Sequence, residues 1–533
     1  MKNQSTHIDF LDALRAVAIL GVLICHTYAE VYGYGHEFSE WKGWYRTFAS
    51  NANYWLYPFS LGRGGVALFF VISGFCIHIS FQQSEKSWGR FYIRRFFRLY
   101  PAYILALIFV MLMLFMRHLP EAIHQGFFWN QFSTHALFIH NFFSDTFKGT
   151  NPALWSLAVE AQLYLLYPVL LFTVGKMGWR TTLLILAGLE VTLQAAAGWT
   201  GMTGAGGPAL GHVLEIAGNT PLGYWFSWAM GAVIADAYLK KQALPFLKIH
   251  PLCWLGLAVL VDFIKPLQPF WFTAFALCGA ALISRCLNAV KPPIVGSLKF
   301  LTVIGLWSYS IYLLHYPMLE VYNNLVDWYF PQSHQSPLIF LALMFGTWLS
   351  IIPLAGLWYK VIELPGIALG KRLLKKPDDG QRSPADAKKK PRSPQKPVMA
   401  TPAYYVMLGL LVILVAGNFK AGAQFAPTAP SEFAGMAWSL ATNADATKRN
   451  GALAVKYAEK ACRQTGFSQS AFVGILAAAY AEDGRFNDAI SAAQYASNLA
   501  AQNGDNNTLQ MNRSLLQLYM NHQAYHANGA AGN

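Results

Sequence analysis

FLDALRAVAILGVLICHTY, Phe10 to Tyr28, is apolar over most of its length and yet holds Arg15 and His26. Eleven positions at about 100° per residue make roughly three helical turns, so the two side chains project from nearly one helix face, about 16 Å apart along the axis. A charge inside a bilayer costs at least about 2.5 kcal/mol on insertion scales, so it normally faces a protein interior or a wet cavity. A terminal helix whose Arg snorkels to the headgroups accounts for Arg15 but not for His26 on the same face. The stretch reads as the first span of a membrane protein, carrying a polar groove. Asp9, Asp12 and Arg15 interrupt any signal-peptide h-region and no small-residue cleavage site follows, so the span is expected to stay attached.

The composition outside this stretch points the same way. Of 533 residues, 55% are hydrophobic and only 12% charged, whereas a soluble chain carries about twice that charged fraction. The expected fold is all-α, a polytopic transmembrane helix bundle followed by a small soluble α-helical, repeat-like domain. Apolar runs long enough to cross occur at 10–28, 64–81, 99–116, 153–173, 181–199, 222–239, 252–264, 270–287, 301–322, 337–359 and 402–418. The run at 252–264 is the weakest, being short and followed by Lys265 and Pro266. With the N-terminus inside, the cytoplasmic connections hold several times as many Lys and Arg as the opposite ones. The net charge of +14 is then a record of orientation, with no nucleic acid partner implied. The six cysteines show no paired short spacing, so neither a disulfide framework nor a metal site is implied.

Four regions follow from these shifts: a ten-span membrane domain at 1–370, a basic Pro-rich linker at 371–401, an eleventh span at 402–418 and an extracytoplasmic helical domain at 419–533. The linker is expected to be disordered and cytoplasmic, with enough Lys to lie against anionic membrane lipids. In the last region Ala454 and Ala489, then Ala461 and Ala496, repeat at a spacing of about 35. LAAAYAEDGRFNDAISAAQYA, Leu476 to Ala496, resembles the tetratricopeptide pattern, with Ala493 where an aromatic is expected. The alternative is an unrelated Ala-rich bundle; as a repeat domain it would recruit a protein partner.

Few polar residues survive within the apolar runs. GRGGVALFFVISGF (Gly62 to Phe75) offers glycines for close helix approach and Ser73 for a hydrogen bond across the bundle. In the connection FYIRRFFRLYP (Phe91 to Pro101), Arg94, Arg95 and Arg98, with Arg90 just upstream, form a dense cationic cluster. Positive-inside anchoring explains it, and so does a polyphosphate gripped by planar guanidinium forks. NPALWSLAVEAQLYLLYP (Asn151 to Pro168) buries Glu160 about two turns inside the bilayer, after Trp155 and Ser156 at the interface. Glu160 either pairs with Arg63 or Arg15 for structure or serves a substrate. GLWSYSIYLLHYP (Gly305 to Pro317) carries Tyr309 and His315, and VIELP at Val361 to Pro365 reads as a helix stop.

Taken together, the Arg15-x10-His26 spacing, GVALFFVISGF, RRFFRLYP, WSLAVEAQLYLLYP, SYSIYLLHYP and IELP resemble the acyltransferase 3 family of integral-membrane acyltransferases, in family order from residue 8 to about 370. The resemblance implies a ten-helix bundle in a bacterial inner membrane that takes an acyl group, often acetyl, from cytoplasmic acyl-CoA. The group passes to a hydroxyl of an extracytoplasmic glycan or lipid-linked acceptor. Acyl-CoA is a donor substrate, and no tightly bound cofactor is implied. The family's functional positions carry over onto Arg15, His26, Arg95 and Arg98. Many relatives add an eleventh span and a hydrolase-like periplasmic domain; here the outer domain is helical, which leaves the acceptor open.

Such a transfer needs a base for the hydroxyl, stabilisation of an oxyanion and a grip on the donor. His26 is the first-span side chain whose ordinary pKa suits a base near neutral pH, and it serves either as general base or as transient acyl carrier. Arg15 would hold the pantetheine or diphosphate portion of the donor, or polarise its thioester carbonyl. Arg90, Arg94, Arg95 and Arg98 would bind the CoA phosphates. Glu160 would orient His26 or bind acceptor hydroxyls. Ser73, Trp155, Ser156, Tyr309 and His315 complete the expected substrate-binding set. The competing class is a proton-coupled transporter or flippase using Arg15, His26 and Glu160 as a relay, although no inverted repeat is visible in the hydropathy.

Overall fold

The computed structural model describes residues 9–32, 61–84, 86–117, 127–147, 150–203, 207–289, 299–329, 337–374, 430–465 and 467–527. Every regular element among them is helical. Among the described residues, six helices or helical runs are long and apolar enough to cross a membrane: Phe10–Ala29, Leu61–Gln82, Trp88–Leu112, Pro152–Thr200, Pro266–Asn288 and Leu338–Leu373. The protein is an all-α integral membrane bundle. The linker after residue 374 and the expected eleventh span at 402–418 lie outside the described residues.

Helix α1 (Asp9–Tyr32) sits at the centre, packing on α2 (Gly64–Gln82), α10 (Lys299–Leu306), α11 (Ser308–Tyr329) and α12 (Pro337–Trp358). Its face is small where neighbours come close: Gly65 lies on the Ala18 backbone, and Gly305 brings α10 onto the Asp12 carbonyl. On its other side α2 meets α7 (Trp225–Leu239). There Gly74 rests on the Trp228 carbonyl while Gly231 rests on that of Val71, so a Cβ on either would overlap backbone. The reciprocal glycines let the two helices approach closely, and the fully buried Phe75 and Trp228 fill the space beside them.

The third helix departs from expectation. The arginine cluster is not an interhelical connection, because α3 runs unbroken from Trp88 to Arg117 with Pro101 inside it. Hydropathy ends at an arginine, but a helical backbone does not, since Arg is a good helix former. The arginines therefore project from a rigid element.

Helix α4 (Phe127–Ala136) precedes the long run α5 (Trp155–Thr203), which is interrupted at Gly178, where φ is 74° and ψ is 165°. An unbroken helix of 49 residues would be more than twice as long as the roughly 30 Å hydrocarbon core is thick. Glycine adopts the required positive φ without Cβ strain, and the break divides the two runs expected at 153–173 and 181–199. After α6 (Gly207–Gly218) and α7 comes α8 (Pro251–Phe263), only 13 residues long and below the length of a spanning helix, as the weak run at 252–264 foreshadowed. Helix α9 (Trp271–Asn288) follows.

Two further expectations change. The run at 301–322 is broken at Trp307 into α10 and α11. The VIELP motif does not stop a helix: α12 passes through a π-helical turn at Tyr359–Glu363 into α13 (Leu364–Leu373). The wider turn carries Glu363 into the buried interior.

The C-terminal residues form α14 (Pro430–Thr442), α15 (Gly451–Gln464), α16 (Ser470–Glu482), α17 (Phe486–Gln502) and α18 (Asn506–Met520), each packed on the next. The repeating alanines Ala454, Ala461, Ala489 and Ala496 are all fully buried, small enough for close helix contact. Asn450 caps α15 through the Leu453 amide at 3.0 Å, and Asp505 caps α18 through that of Thr508 at 3.1 Å.

Candidate active site

Helical spacing puts Ser156, Glu160 and Tyr164 on one face of α5, at successive steps of four residues. That face, the Ser73 and Cys76 face of α2, Arg15 of α1, Arg95 and Arg98 of α3, and Tyr309 and Tyr312 of α11 enclose a cavity of about 130 Å³. Seven of the expected residues thus converge: Arg15, Ser73, Arg95, Arg98, Ser156, Glu160 and Tyr309. They come from five helices, so no local window of sequence unites them.

Each charge is held by a partner that sequence order conceals. Arg15 pairs with Asp12 one turn back and reaches the Cys76 sulfur at 3.0 Å. Arg95 donates to Ser80 Oγ at 2.6 Å. Arg98 lies 2.9 Å from Glu363, whose other oxygen accepts from Ser310 Oγ at 2.7 Å. Glu363, read from sequence as part of a helix stop, is thus the buried counter-ion of an arginine on the cavity wall. Arg98 is itself 40% exposed, so one side remains open to a ligand.

Glu160 does not orient His26. Its Oε1 accepts from Ser73 Oγ at 2.6 Å and from the Tyr164 hydroxyl, while the Trp228 indole donates to Ser73 at 3.2 Å. The structural pairing with Arg63 or Arg15 is also not what forms, since Arg63 pairs with Asp262 under the Trp271 ring and Arg15 with Asp12. The face of α5 that carries Glu160 turns to α2, and α1 meets His26's partner from α11 instead.

That partner is His315. His26 Nδ1 and His315 Nε2 are 2.7 Å apart, and His315 Nδ1 is 2.6 Å from the Tyr312 carbonyl oxygen. Tyr316 stands edge-on to His26 with centroids 5.8 Å apart. Neither histidine lines the cavity, but Tyr312 connects the two places. Its ring forms part of the cavity wall and lies 5.3 Å from the His315 ring. The Tyr312 hydroxyl donates to the Ala153 carbonyl at 2.6 Å, so Ser156, 2.7 Å away, is the donor to Tyr312.

Besides the two histidines, three expected residues are not on the cavity wall. Arg90 donates to the Leu374 carbonyl at the end of α13, serving as a helix cap. Arg94 is absent from the lining, and Trp155 packs with Phe70 and Tyr224 in an aromatic cluster. On a helix only one side of a four-arginine run can face inward, which selects Arg95 and Arg98. Conversely, Tyr164, Tyr312, Cys76 and Glu363 were missed as site residues. The i+4 step from Glu160 was the available signal for Tyr164; the IELP motif marked the place of Glu363 but not its partner on another helix.

Comparison with known proteins gives the site a context. The 358 residues aligned with peptidoglycan O-acetyltransferase OatA of Listeria monocytogenes are 26% identical and cover 60% of this chain and 51% of that protein. For O-acetyltransferase OatA of Staphylococcus aureus the values are 27% over 395 residues, 67% of this chain and 57% of that one. The chain therefore spans about half the length of the curated relatives it matches. A shorter match, 35% over 129 residues, is to an uncharacterized Haemophilus influenzae protein. No solved structure gives a significant match. The family model described as an acyltransferase domain matches residues 8–356, which takes in α1 to most of α12 and every cavity-lining residue, and the chain belongs to that acyltransferase 3 family.

Proposed function

We propose that this protein is a membrane O-acyltransferase that moves an acyl group, acetyl in the first instance, from cytoplasmic acyl-CoA to a hydroxyl of an extracytoplasmic cell-wall glycan. The observation that carries the reading is the meeting of three guanidiniums, Arg15, Arg95 and Arg98, on one cavity whose Tyr312 wall backs onto the His26–His315 pair. Guanidinium forks suit phosphate oxygens, and the donor is the phosphate-bearing partner in such a transfer. The peptidoglycan named for the Listeria relative supports a glycan acceptor. In this reading the N-terminus is cytoplasmic, the arginine-lined cavity receives the donor, and the histidine pair beyond Tyr312 faces the acceptor.

The chemistry follows from the residues. The acceptor hydroxyl attacks the thioester carbonyl while His26 takes its proton; the tetrahedral oxyanion collapses, an ester forms, the C–S bond breaks, and the CoA thiolate leaves with the electron pair. Arg15 lies roughly 16 Å from His26 along α1, too far for a dyad, and an extended pantetheine arm threads that interval. Tyr312, between the cavity and the histidines, must move or be bypassed by the acyl end.

His26→Ala is expected to abolish transfer in purified, reconstituted protein supplied with radiolabelled acetyl-CoA and peptidoglycan fragments, with binding of CoA retained. General-base contributions are typically about 10²- to 10⁴-fold. Undiminished transfer by the variant, or none by the unaltered protein, would sink the reading.

A further inference from the structure

We propose that His315 is a positioning residue that holds His26 in the tautomer with a bare Nε2, the nitrogen that accepts the acceptor's proton. The inference rests on the acyltransferase reading above and deepens it. A carbonyl oxygen only accepts, so the 2.6 Å contact between His315 Nδ1 and the Tyr312 carbonyl assigns the proton of a neutral His315 ring to Nδ1. Its Nε2 then carries a lone pair. His26 Nδ1 is 2.7 Å from that lone pair and must bring the hydrogen, which leaves the lone pair of His26 on Nε2.

The ring geometry supports this independently. The two imidazoles are parallel within 6°, with centroids 5.0 Å apart. At an N···N distance of 2.7 Å, so large a centroid separation requires both nitrogens and both ring centres to lie nearly on one line. The rings thus meet edge to edge in one plane, the direction in which an imidazole N–H and a lone pair point, and do not stack face to face. His315 is fully buried, whereas His26 is partly accessible. The chain Tyr312 carbonyl, His315, His26 therefore orders one proton position after another, from a fixed backbone acceptor out to an accessible ring. Tyr316, edge-on to His26 at 86°, restrains the ring from rotating out of that plane.

The test compares His315→Leu with His315→Gln in the full-length reconstituted protein. Leucine removes the acceptor for His26 Nδ1–H, and kcat is expected to fall at least about tenfold with the KM values for acetyl-CoA and glycan unchanged; a wrong tautomer costs far more in the serine-protease triad. The glutamine Oε1 can accept from His26 while its amide donates to the Tyr312 carbonyl, so His315→Gln is expected to recover most of that loss. Wild-type kcat in His315→Leu, a loss confined to KM, or glutamine no better than leucine would each overturn the proposal. Nitrogen-15 NMR of histidine-labelled protein reads the tautomer without any turnover. The His26 signals, identified by their disappearance in His26→Ala, are expected to show protonated Nδ1 and bare Nε2, and to move toward the Nε2–H form in His315→Leu. A protonated Nε2 in the unaltered protein overturns the positioning role. Absence of transfer with the expected spectrum overturns the acyltransferase reading alone.

Discussion

At the residue scale, the cavity shows how a charge placed in a membrane is kept there. Arg98 is the informative case, because it lines the cavity on one side and meets Glu363 on the other. Arg98→Ala is expected to raise the KM for acyl-CoA about tenfold, equivalent to about 1.4 kcal/mol, and to lower thermal stability, since removing one partner leaves the buried Glu363 carboxylate without its counter-ion. Adding Glu363→Gln is expected to restore the melting temperature in detergent but not the KM. Recovery of both would mean that Arg98 acts only through Glu363. Arg15, Glu160 and His26 were legible as candidates because a polar group in an apolar run is conspicuous, and Arg98 because it belongs to a dense arginine cluster. Their partners Asp12, Glu363, Ser73 and His315 were not assigned as such, because three of the four come from another helix and Asp12 reads as a residue of the span's polar end.

At the scale of elements, the arginine cluster teaches that an apolar run and a helix are different objects. Hydropathy located the membrane-buried part of α3 at 99–116, but the helix starts at Trp88, and only as a helix does it aim Arg95 and Arg98 inward while Arg90 turns to the end of α13. The glycines of α2 illustrate the opposite case, in which composition did foretell packing. Gly74→Ala introduces a methyl group against the Trp228 backbone, and an overpacked site of this kind costs about 1–3 kcal/mol. A drop in melting temperature in detergent is the expected result, and an unchanged value would contradict the close α2–α7 crossing. Broken elements were least legible: Gly178 divides a run whose length demanded division, but Trp307 and the π turn before Glu363 carry no such demand in the sequence.

At the scale of the whole molecule, the C-terminal helices carry a buried titratable group of their own. In the C-terminal helices Asp483 is pushed up to about 6, chiefly by burial, with Arg485 opposing and Asp488, Glu459 and Glu482 adding to the rise. Its proton is held more tightly folded than unfolded, so its contribution to stability is complete below the unfolded value near 4 and lost as pH rises through about 6. Stability of residues 430–527 is expected to fall by about 2 kcal/mol from this group between about pH 4 and pH 7. Hydrogen exchange of α16 and α17 measures it, and Asp483→Asn should flatten the dependence; an unchanged slope in that variant would exclude Asp483 as its source.

The sequence by itself determined that this is a helical membrane protein, because excluding water from apolar runs of such length leaves the backbone no other way to satisfy its hydrogen bonds. It also determined which side chains are too polar for their surroundings, and six ordered motifs were enough to point to the family. Only the tertiary structure decided which of those side chains meet. Helix rotation and crossing, set by glycines, aromatic packing and breaks such as Gly178, bring Arg15, Arg95 and Arg98 to one cavity, give Glu160 to Ser73 and Tyr164, and leave His26 to His315. Periodicity gives a side chain its face on a helix, but the neighbour that face meets depends on contacts between residues hundreds of positions apart.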